Sequence, residues 1–267
     1  EAGSRLGGRA TAFSDRETGE PVDNGQHVMF GCYRETLAFL RRIGAEGNVR
    51  IQSSLEVPFI SPAGHRSVLR CPGLPAPLHL LAGVLRWPAI PFADRLSALR
   101  LAPAILRAKS GTATGNLSVL SWLQAHGQSD RLITALWEPL AVAALNQPIA
   151  EAAAAPFVRV LSEMFGRDPL AAALVLPVKP LDECYAVPAR AFIEARGGEV
   201  RTDALARVSL APGGAHTVHV RGETIQASAV ISAVPWHALR NLFPDPPASL
   251  LPLISSASAM TSMPIAT

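Results

Sequence analysis

The sequence predicts a mixed α/β fold in which a helical lobe is inserted between two strand-bearing regions. Three observations carry the prediction. The apolar spacing is that of short strands and one short helix at first, turns helical from Ala76 to Phe165, and reverts to strand periodicity from Ala173 onward. Prolines and glycines punctuate the helical stretch at Pro88, Pro91, Gly111, Gly115, Gly127 and Pro148, which divides it into helices of ordinary length. At 267 residues the chain can bury a substantial core in one or two domains.

Taken in order, Val22 to Phe30 reads as a strand, and Arg34 to Ile43 as a helix with Leu37, Leu40 and Ile43 on one face and Gly44 as its stop. Val49 to Gln52, Leu55 to Ile60 and Arg66 to Arg70 are short strands, with Ser61-Pro62-Ala63-Gly64 turning between the last two. The helices that follow form a lobe over this small sheet, and Ser118 and Ser129 are suited to cap two of them. Ala173 to Val178 is again a strand, and a helix from about Asp182 to Ala195 stops at Gly197-Gly198. Glu199 to Arg201, Ala204 to Leu210, His216 to Arg221 and Ile225 to Val234 then make a strand-rich meander with a turn at Pro212-Gly213-Gly214.

Composition excludes several classes of function. The net charge is +3, but the basic residues form no run and no aromatic residues interleave with them, so no nucleic-acid partner is expected. Lys109 and Lys179 are the only lysines, and the arginine-rich remainder reflects a GC-rich genome rather than a binding surface. Cys32, Cys71 and Cys184 are widely separated and show no C-x-x-C, and the histidines outside the motifs have no metal spacing. Reduced thiols and no bound metal are the expectation. The uncharged run from Pro246 to Thr267 is broken by prolines and is a poor membrane span. Hydrophobic residues make up 49% and charged residues 17%, which suits a protein that handles a lipid or sits on a bilayer, though an ordinary core explains it as well.

The residues that carry chemistry begin at the first position. Arg5-Leu6-Gly7-Gly8-Arg9-Ala10 places two glycines between two arginines, so the backbone can approach a diphosphate without an intervening Cβ while Arg5 and Arg9 offer planar donors. In a dinucleotide-binding unit a G-x-G-x-x-G turn receives the pyrophosphate, and an acid roughly 20 residues on takes the ribose hydroxyls. No G-x-G occurs in this chain, and Glu1 stands where that acid would stand. Val22-Asp23-Asn24-Gly25-Gln26-His27 follows. Asp23 and Asn24 before Gly25 make a turn, with or without a ligand.

The likeness extends much further than these two segments. Gly31-Cys32-Tyr33-Arg34-Glu35-Thr36-Leu37, Leu136-Trp137-Glu138-Pro139-Leu140, Ala144-Leu145-Asn146 and Ala229-Val230-Ile231-Ser232-Ala233-Val234-Pro235-Trp236-His237 join them in order along the chain. On these residues the chain resembles the FAD-dependent amine oxidase and phytoene desaturase superfamily. Within it the chain is similar to the hydroxysqualene dehydroxylases, also described as squalene-associated FAD-dependent desaturases.

The resemblance implies an α/β chain built on an FAD-binding Rossmann-like domain, with an inserted substrate domain of small sheet plus helices. It implies that residues 1–48 and 181–245 belong to the FAD-binding domain, 49–180 to the substrate domain, and 246–267 to the start of a further substrate-domain segment. Members of the family begin before the position of Glu1 with a strand and a glycine-rich turn, and continue past that of Thr267 to a second flavin-binding segment. The FAD-binding fold is therefore expected to be incomplete in this chain, which would then be inactive alone.

FAD is the implied cofactor. Glu1, Arg5, Gly7, Gly8, Arg9, Gly25 and Gln26 are the implied cofactor-binding residues, joined by Val208 against the adenine and by Ala233 and Pro235 on the strand that leads back toward the nucleotide. A frayed terminus is the competing reading for Glu1, and a surface arginine for Arg9. His27 is the candidate proton donor or substrate-orienting group, a hydrogen-bonded structural histidine being the alternative. Amine oxidases place a lysine near the flavin ring, and Lys179 is available, although Pro177 and Pro180 mark a strand end. Tyr33, Trp137 and Glu138 read more simply as packing and capping residues.

The implied substrate is a polyprenyl lipid of the squalene type, in a cytoplasmic protein with peripheral contact at the inner face of the membrane. The apolar segment Leu78 to Phe92, edged by Arg86 and Trp87, is the candidate membrane element, a buried helix being the alternative. The implied activity is reductive dehydroxylation of hydroxysqualene. Carotenoid or phytoene desaturation is the alternative, and a catalytically inactive lipid- or partner-binding module is the third reading.

Overall fold

A computed structural model describes residues 1–25, 27–61, 63–75, 78–108, 114–165, 168–211 and 214–262. Its strands are β1 (Ala12–Ser14), β2 (Pro21–Asp23), β3 (Met29–Phe30), β4 (Val49–Ile51), β5 (Glu56–Ile60), β6 (Arg66–Arg70), β7 (Leu174–Pro177), β8 (Ala206–Ser209), β9 (His216–Val220) and β10 (Glu223–Ala227). Packing divides the chain into two units, one of residues 1–25 with 180–267 and the other of residues 26–179.

In the first unit, β1 and β2 pair antiparallel with Phe13 opposite Val22. β8, β9 and β10 form an antiparallel meander in which β9 is central. Arg221 (φ 49°) and Gly222 (φ 81°) join β9 to β10, the paired positive φ that a two-residue hairpin needs to match the strand twist. Val208 on β8 is buried with Leu242 and Phe243, which close one face of the meander. The helix at residues 182–194 begins with a π turn at Asp182–Ala186 and continues as Val187–Glu194. It ends before Gly197, whose φ of 78° glycine adopts without penalty.

In the second unit, β7 is the middle strand of an antiparallel sheet with β3 and β4, and Val175 pairs with both Met29 and Ile51. β5 and β6 form a hairpin with Val57 opposite Leu69. The helices Leu78–Arg86, Phe92–Ser97, Val119–Ala125, Glu138–Leu145 and Ala154–Met164 build the lobe. Trp87, Trp122, Trp137, Leu123, Phe157 and Leu161 are buried in its core. The hydroxyl of Ser118 accepts from the Ser121 amide (3.1 Å) and that of Ser129 from the Leu132 amide (3.3 Å), so both serines cap as their sequence context predicts.

The sequence expectation differs from the structure in three places. The strand read from Val22 to Phe30 is two strands, because Asn24 turns to bond the Arg9 carbonyl and Gly25 takes φ 82°. The strand read from Ile225 to Val234 ends at Ala227, and residues 228–235 are irregular with Ile231 94% exposed. An alternating apolar sequence becomes a strand only beside another strand, and none among the described residues pairs with this one. Residues 199–201 lie in no ladder, although the Glu1 amine donates to the Arg201 carbonyl at 3.0 Å. β3, in residues 26–48, pairs with β7 and so joins this stretch to the helical unit.

Candidate functional site

The Arg5 to Ala10 segment folds as an exposed glycine turn. The Ala10 amide donates to the Gly7 carbonyl at 3.0 Å, and Gly7 and Gly8 take φ of 100° and 58°. A Cβ at Gly7 would meet the Ala10 carbonyl oxygen at 2.5 Å and Ala186 at 3.7 Å, whereas a Cβ at Gly8 would meet nothing within 4 Å. Gly7 is therefore required by the turn itself. Gly8 leaves bare backbone facing open space, the arrangement a diphosphate can approach.

The side chains around this turn hold it in place. An Arg5 guanidinium nitrogen donates to the Ala12 carbonyl, so Arg5 braces its own loop. The Asn24 amide side chain donates to the Arg9 carbonyl (3.1 Å) and the Asn24 backbone amide to the Thr11 carbonyl (2.9 Å). Asp23 accepts from the Leu181 amide at 3.0 Å, which ties the second motif to the start of the 182–194 helix. Burial, with Cys184 and Asp23 nearby, raises the Tyr185 hydroxyl above its ordinary range. Arg9 is exposed and forms no ion pair among the described residues. Its guanidinium is a planar donor suited to phosphate oxygens.

Glu1 lies against the chain that enters β8: its carbonyl accepts from the Ala204 amide (2.8 Å), while its carboxylate accepts from the Gly3 amide (2.9 Å). Val208 follows on β8, but its side chain is 3% exposed and packs under Leu242 and Phe243. Any contact Val208 makes with a nucleotide is a main-chain contact from β8, an edge strand of its sheet. Ala233 and Pro235 are exposed in the irregular stretch, and the Pro235 carbonyl accepts from the Ala238 amide as a helical turn begins. Gly25 is buried, and Gln26 lies outside the described residues.

The first unit thus gathers the two arginines, the two glycines, Asp23, Asn24 and Gly25. His27 belongs to the other unit and is exposed, as is Lys179 just beyond β7. Tyr33 is 46% exposed with its ring edge toward Phe30, so it is not the core tyrosine expected. Trp137 and Glu138 do have the packing role: the indole is buried, and Glu138 starts the helix Glu138–Leu145. Burial pushes the Cys71 thiol up to about 11, and no cluster of metal-ligating side chains occurs among the described residues.

Two features escaped the sequence reading. Asp182 keeps a buried carboxylate oxygen with no hydrogen-bond partner in the first turn of the helix that Asp23 caps. Gln128, 6% exposed, accepts from the Trp137 indole at 2.9 Å and donates to the Ser97 carbonyl at 2.7 Å. Neither had a signal beyond an ordinary polar residue at a helix boundary.

A dinucleotide fits this arrangement, because the Gly8 cradle is backbone alone, Arg9 forms no ion pair among the described residues, and Glu1 stands beside the chain that enters β8. The fold and the turn suit a flavin-binding chain. The chain belongs to the family of flavin containing amine oxidoreductases, whose family model matches residues 1–263. It is 28% identical over 205 residues to a hydroxysqualene dehydroxylase of Zymomonas mobilis, covering 75% of this chain and 46% of that protein. A second hydroxysqualene dehydroxylase, from Rhodopseudomonas palustris, is 30% identical over 259 residues, covering 94% and 57%. A zeta-carotene desaturase of Zea mays is 28% identical over 147 residues, covering 51% and 25%. The chain therefore spans about half the length or less of these relatives. Among solved structures, an oxidoreductase from Methanosarcina mazei superposes with a TM-score of 0.67 at 16% identity, covering 97% of this chain and 58% of that one, and shares the fold.

Proposed function

We propose that the protein is an FAD-dependent oxidoreductase of isoprenoid metabolism that converts hydroxysqualene to squalene. The observation that carries this reading is the likeness to hydroxysqualene dehydroxylases, one of which aligns with 94% of the chain. The glycine turn supports it from the physical side. The flavin, when bound, would supply hydride to carbon from its reduced form as hydroxide leaves in a dehydroxylation, an external reductant restoring that form, and would accept hydride in its oxidised form in a desaturation.

The chain's own part is binding and positioning. Gly8 lets the backbone close on the diphosphate, Arg9 pairs with its oxygens, Glu1 takes ribose hydroxyls, and Asp23 and Asn24 hold the turn rigid. The helical unit has an aromatic and aliphatic core, and an apolar surrounding that excludes water keeps hydride transfer from competing with hydrolysis. His27, exposed at the start of that unit, is the candidate proton source for the departing hydroxide.

A second reading, a carotene desaturase, is favoured by the zeta-carotene desaturase relative. Incubation of the flavin-loaded protein with hydroxysqualene and, separately, with zeta-carotene separates the two. Squalene formed under reducing conditions supports the first reading, and dehydrogenated carotene formed with an oxidant supports the second. Product from neither, by flavin-loaded protein extended to the full length of the relatives, contradicts both.

Peripheral membrane contact belongs to the same proposal, with a changed position. Leu80, Val84, Trp87 and Ile90 of the apolar segment are buried in the core, so its greasy face is used internally. Leu78 (55%) and Phe92 (60%) stay exposed at its two ends and are the residues offered to a bilayer. Replacing both with Glu is expected to abolish vesicle binding; unchanged binding contradicts the contact.

A further inference from the structure

In the first unit a cleft of about 650 Å³ lies between β8 and the segment 240–251. That volume falls within the roughly 300–1,000 Å³ of ordinary small-molecule sites. Leu205, Phe243, Pro246 and Leu251 give it apolar walls, and Arg207 and Arg240 are the two cationic residues that line it. Leu205 is 65% and Leu251 50% exposed, so the apolar part of the lining faces outward.

The positive charge here has no ion-pair partner among the described residues. Neither Arg207 nor Arg240 forms an ion pair among the described residues, although Arg70, Arg190 and Arg201 all do. Asp203 and Asp245, the carboxylates nearest in sequence to Arg207 and Arg240, are exposed and form no ion pair among the described residues. His219 stands opposite Arg207 on the β8–β9 ladder, and directly opposed residues share a face, so this side of the sheet adds no negative charge. Two planar cations beside exposed leucines complement one chemistry: a phosphate head joined to an alkyl tail.

We propose that this cleft binds an alkyl phosphate, with the phosphate on Arg207 and Arg240 and the tail along Leu205, Phe243 and Leu251. The cleft uses none of the residues of the glycine turn at Gly7 and Gly8, but it shares β8 with the nucleotide contact expected at Val208. Its ligand is either a soluble alkyl phosphate or the head of a membrane phospholipid, since both present the same group.

The test is titration of the protein with decyl phosphate kept below its micellar concentration, and separately with vesicles of phosphatidylglycerol in phosphatidylcholine. Binding of decyl phosphate identifies a soluble ligand, and binding of the anionic vesicles alone identifies a bilayer lipid. In either case Arg207→Gln with Arg240→Gln is expected to weaken binding at least about tenfold, as befits the loss of charge-assisted hydrogen bonds. Leu251→Asp is expected to weaken it through the tail alone. Both arginines are exposed, so an unchanged circular dichroism spectrum confirms that the fold is kept.

Three results overturn the proposal: no binding to either probe, equal binding by the double arginine variant, or equal binding of uncharged decanol. Stoichiometric displacement of decyl phosphate by FAD also overturns it, because the cleft would then be part of the cofactor site. Failure of the flavin reading leaves a different trace, namely loss of flavin binding with alkyl phosphate binding intact.

Discussion

The Ala10 amide donates to the Gly7 carbonyl at 3.0 Å, and a Cβ on Gly7 would stand 2.5 Å from the Ala10 carbonyl oxygen. The turn therefore has no room for a side chain at this position. Gly7→Ala is expected to open the turn, reduce stability by about 1–3 kcal/mol, and remove flavin binding with it. Thermal unfolding with and without flavin checks both parts. Unchanged stability contradicts the geometry.

Gly8→Ala separates cofactor binding from folding. Its Cβ would meet nothing in the protein, so only the strain of φ 58° remains, about 1 kcal/mol. Flavin affinity is expected to fall well beyond that strain, because the added methyl occupies the space where the diphosphate would approach. Equal affinity, measured by quenching of flavin fluorescence, contradicts a phosphate role for this turn.

In the helical unit, Gln128 joins the Trp137 indole to the Ser97 carbonyl. Gln128→Leu removes the acceptor of the buried Trp137 indole and one donor to the Ser97 carbonyl, and is expected to destabilise by about 1–3 kcal/mol. Chemical denaturation gives the value. Gln128→Glu keeps the acceptor for Trp137 but loses the donor to Ser97, so it is expected to be no better tolerated.

His79 sets a pH dependence. It is 3% exposed, and burial holds it below its usual value of 6.5, with a hydrogen bond to the Pro75 backbone offsetting this in part. As pH falls through 6.5 the unfolded chain takes up a proton that the folded chain resists, so stability is lost on the acid side. His79→Leu is expected to flatten this acid limb and to raise the melting temperature at neutral pH. A variant with the same acid limb contradicts the assignment.

Gly31→Ala tests the sheet of β3, β7 and β4. A Cβ there would drive into the Leu170 carbonyl oxygen while the Gly31 amide is bonded to Ala173 at 2.9 Å. Unfolding or insolubility is expected. Gly47→Ala, where the space is open, is expected to stay within about 0.5 kcal/mol of the parent.

Much of the fold was legible because local signals agreed with it. The helix from Arg34, the hairpin of β5 and β6, and the caps at Ser118 and Ser129 rest on periodicity and short-range hydrogen bonds that the sequence displays. The part of the Ile225 to Val234 reading beyond Ala227 was misread for the opposite reason, since its apolar sequence gave no sign that no strand among the described residues would pair with it. Gly7 and Gly8 were legible as a cradle, but their division of labour was not, because it depends on where the Ala10 carbonyl points. Val208 illustrates the same limit: its place on β8 was readable, and the burial of its side chain under Leu242 and Phe243 was not. The cleft of Arg207 and Arg240 joins residues from distant segments and leaves no local motif.

The central claim is that the glycine turn holds a flavin dinucleotide. The most direct measurement is the absorbance spectrum of the protein after loading with FAD and desalting, beside that of Gly8→Asp, whose carboxylate would repel the diphosphate. The account predicts retained flavin bands in the parent and their loss in the variant with the melting curve little changed. A parent that retains no flavin, or a variant that retains it equally, contradicts the account.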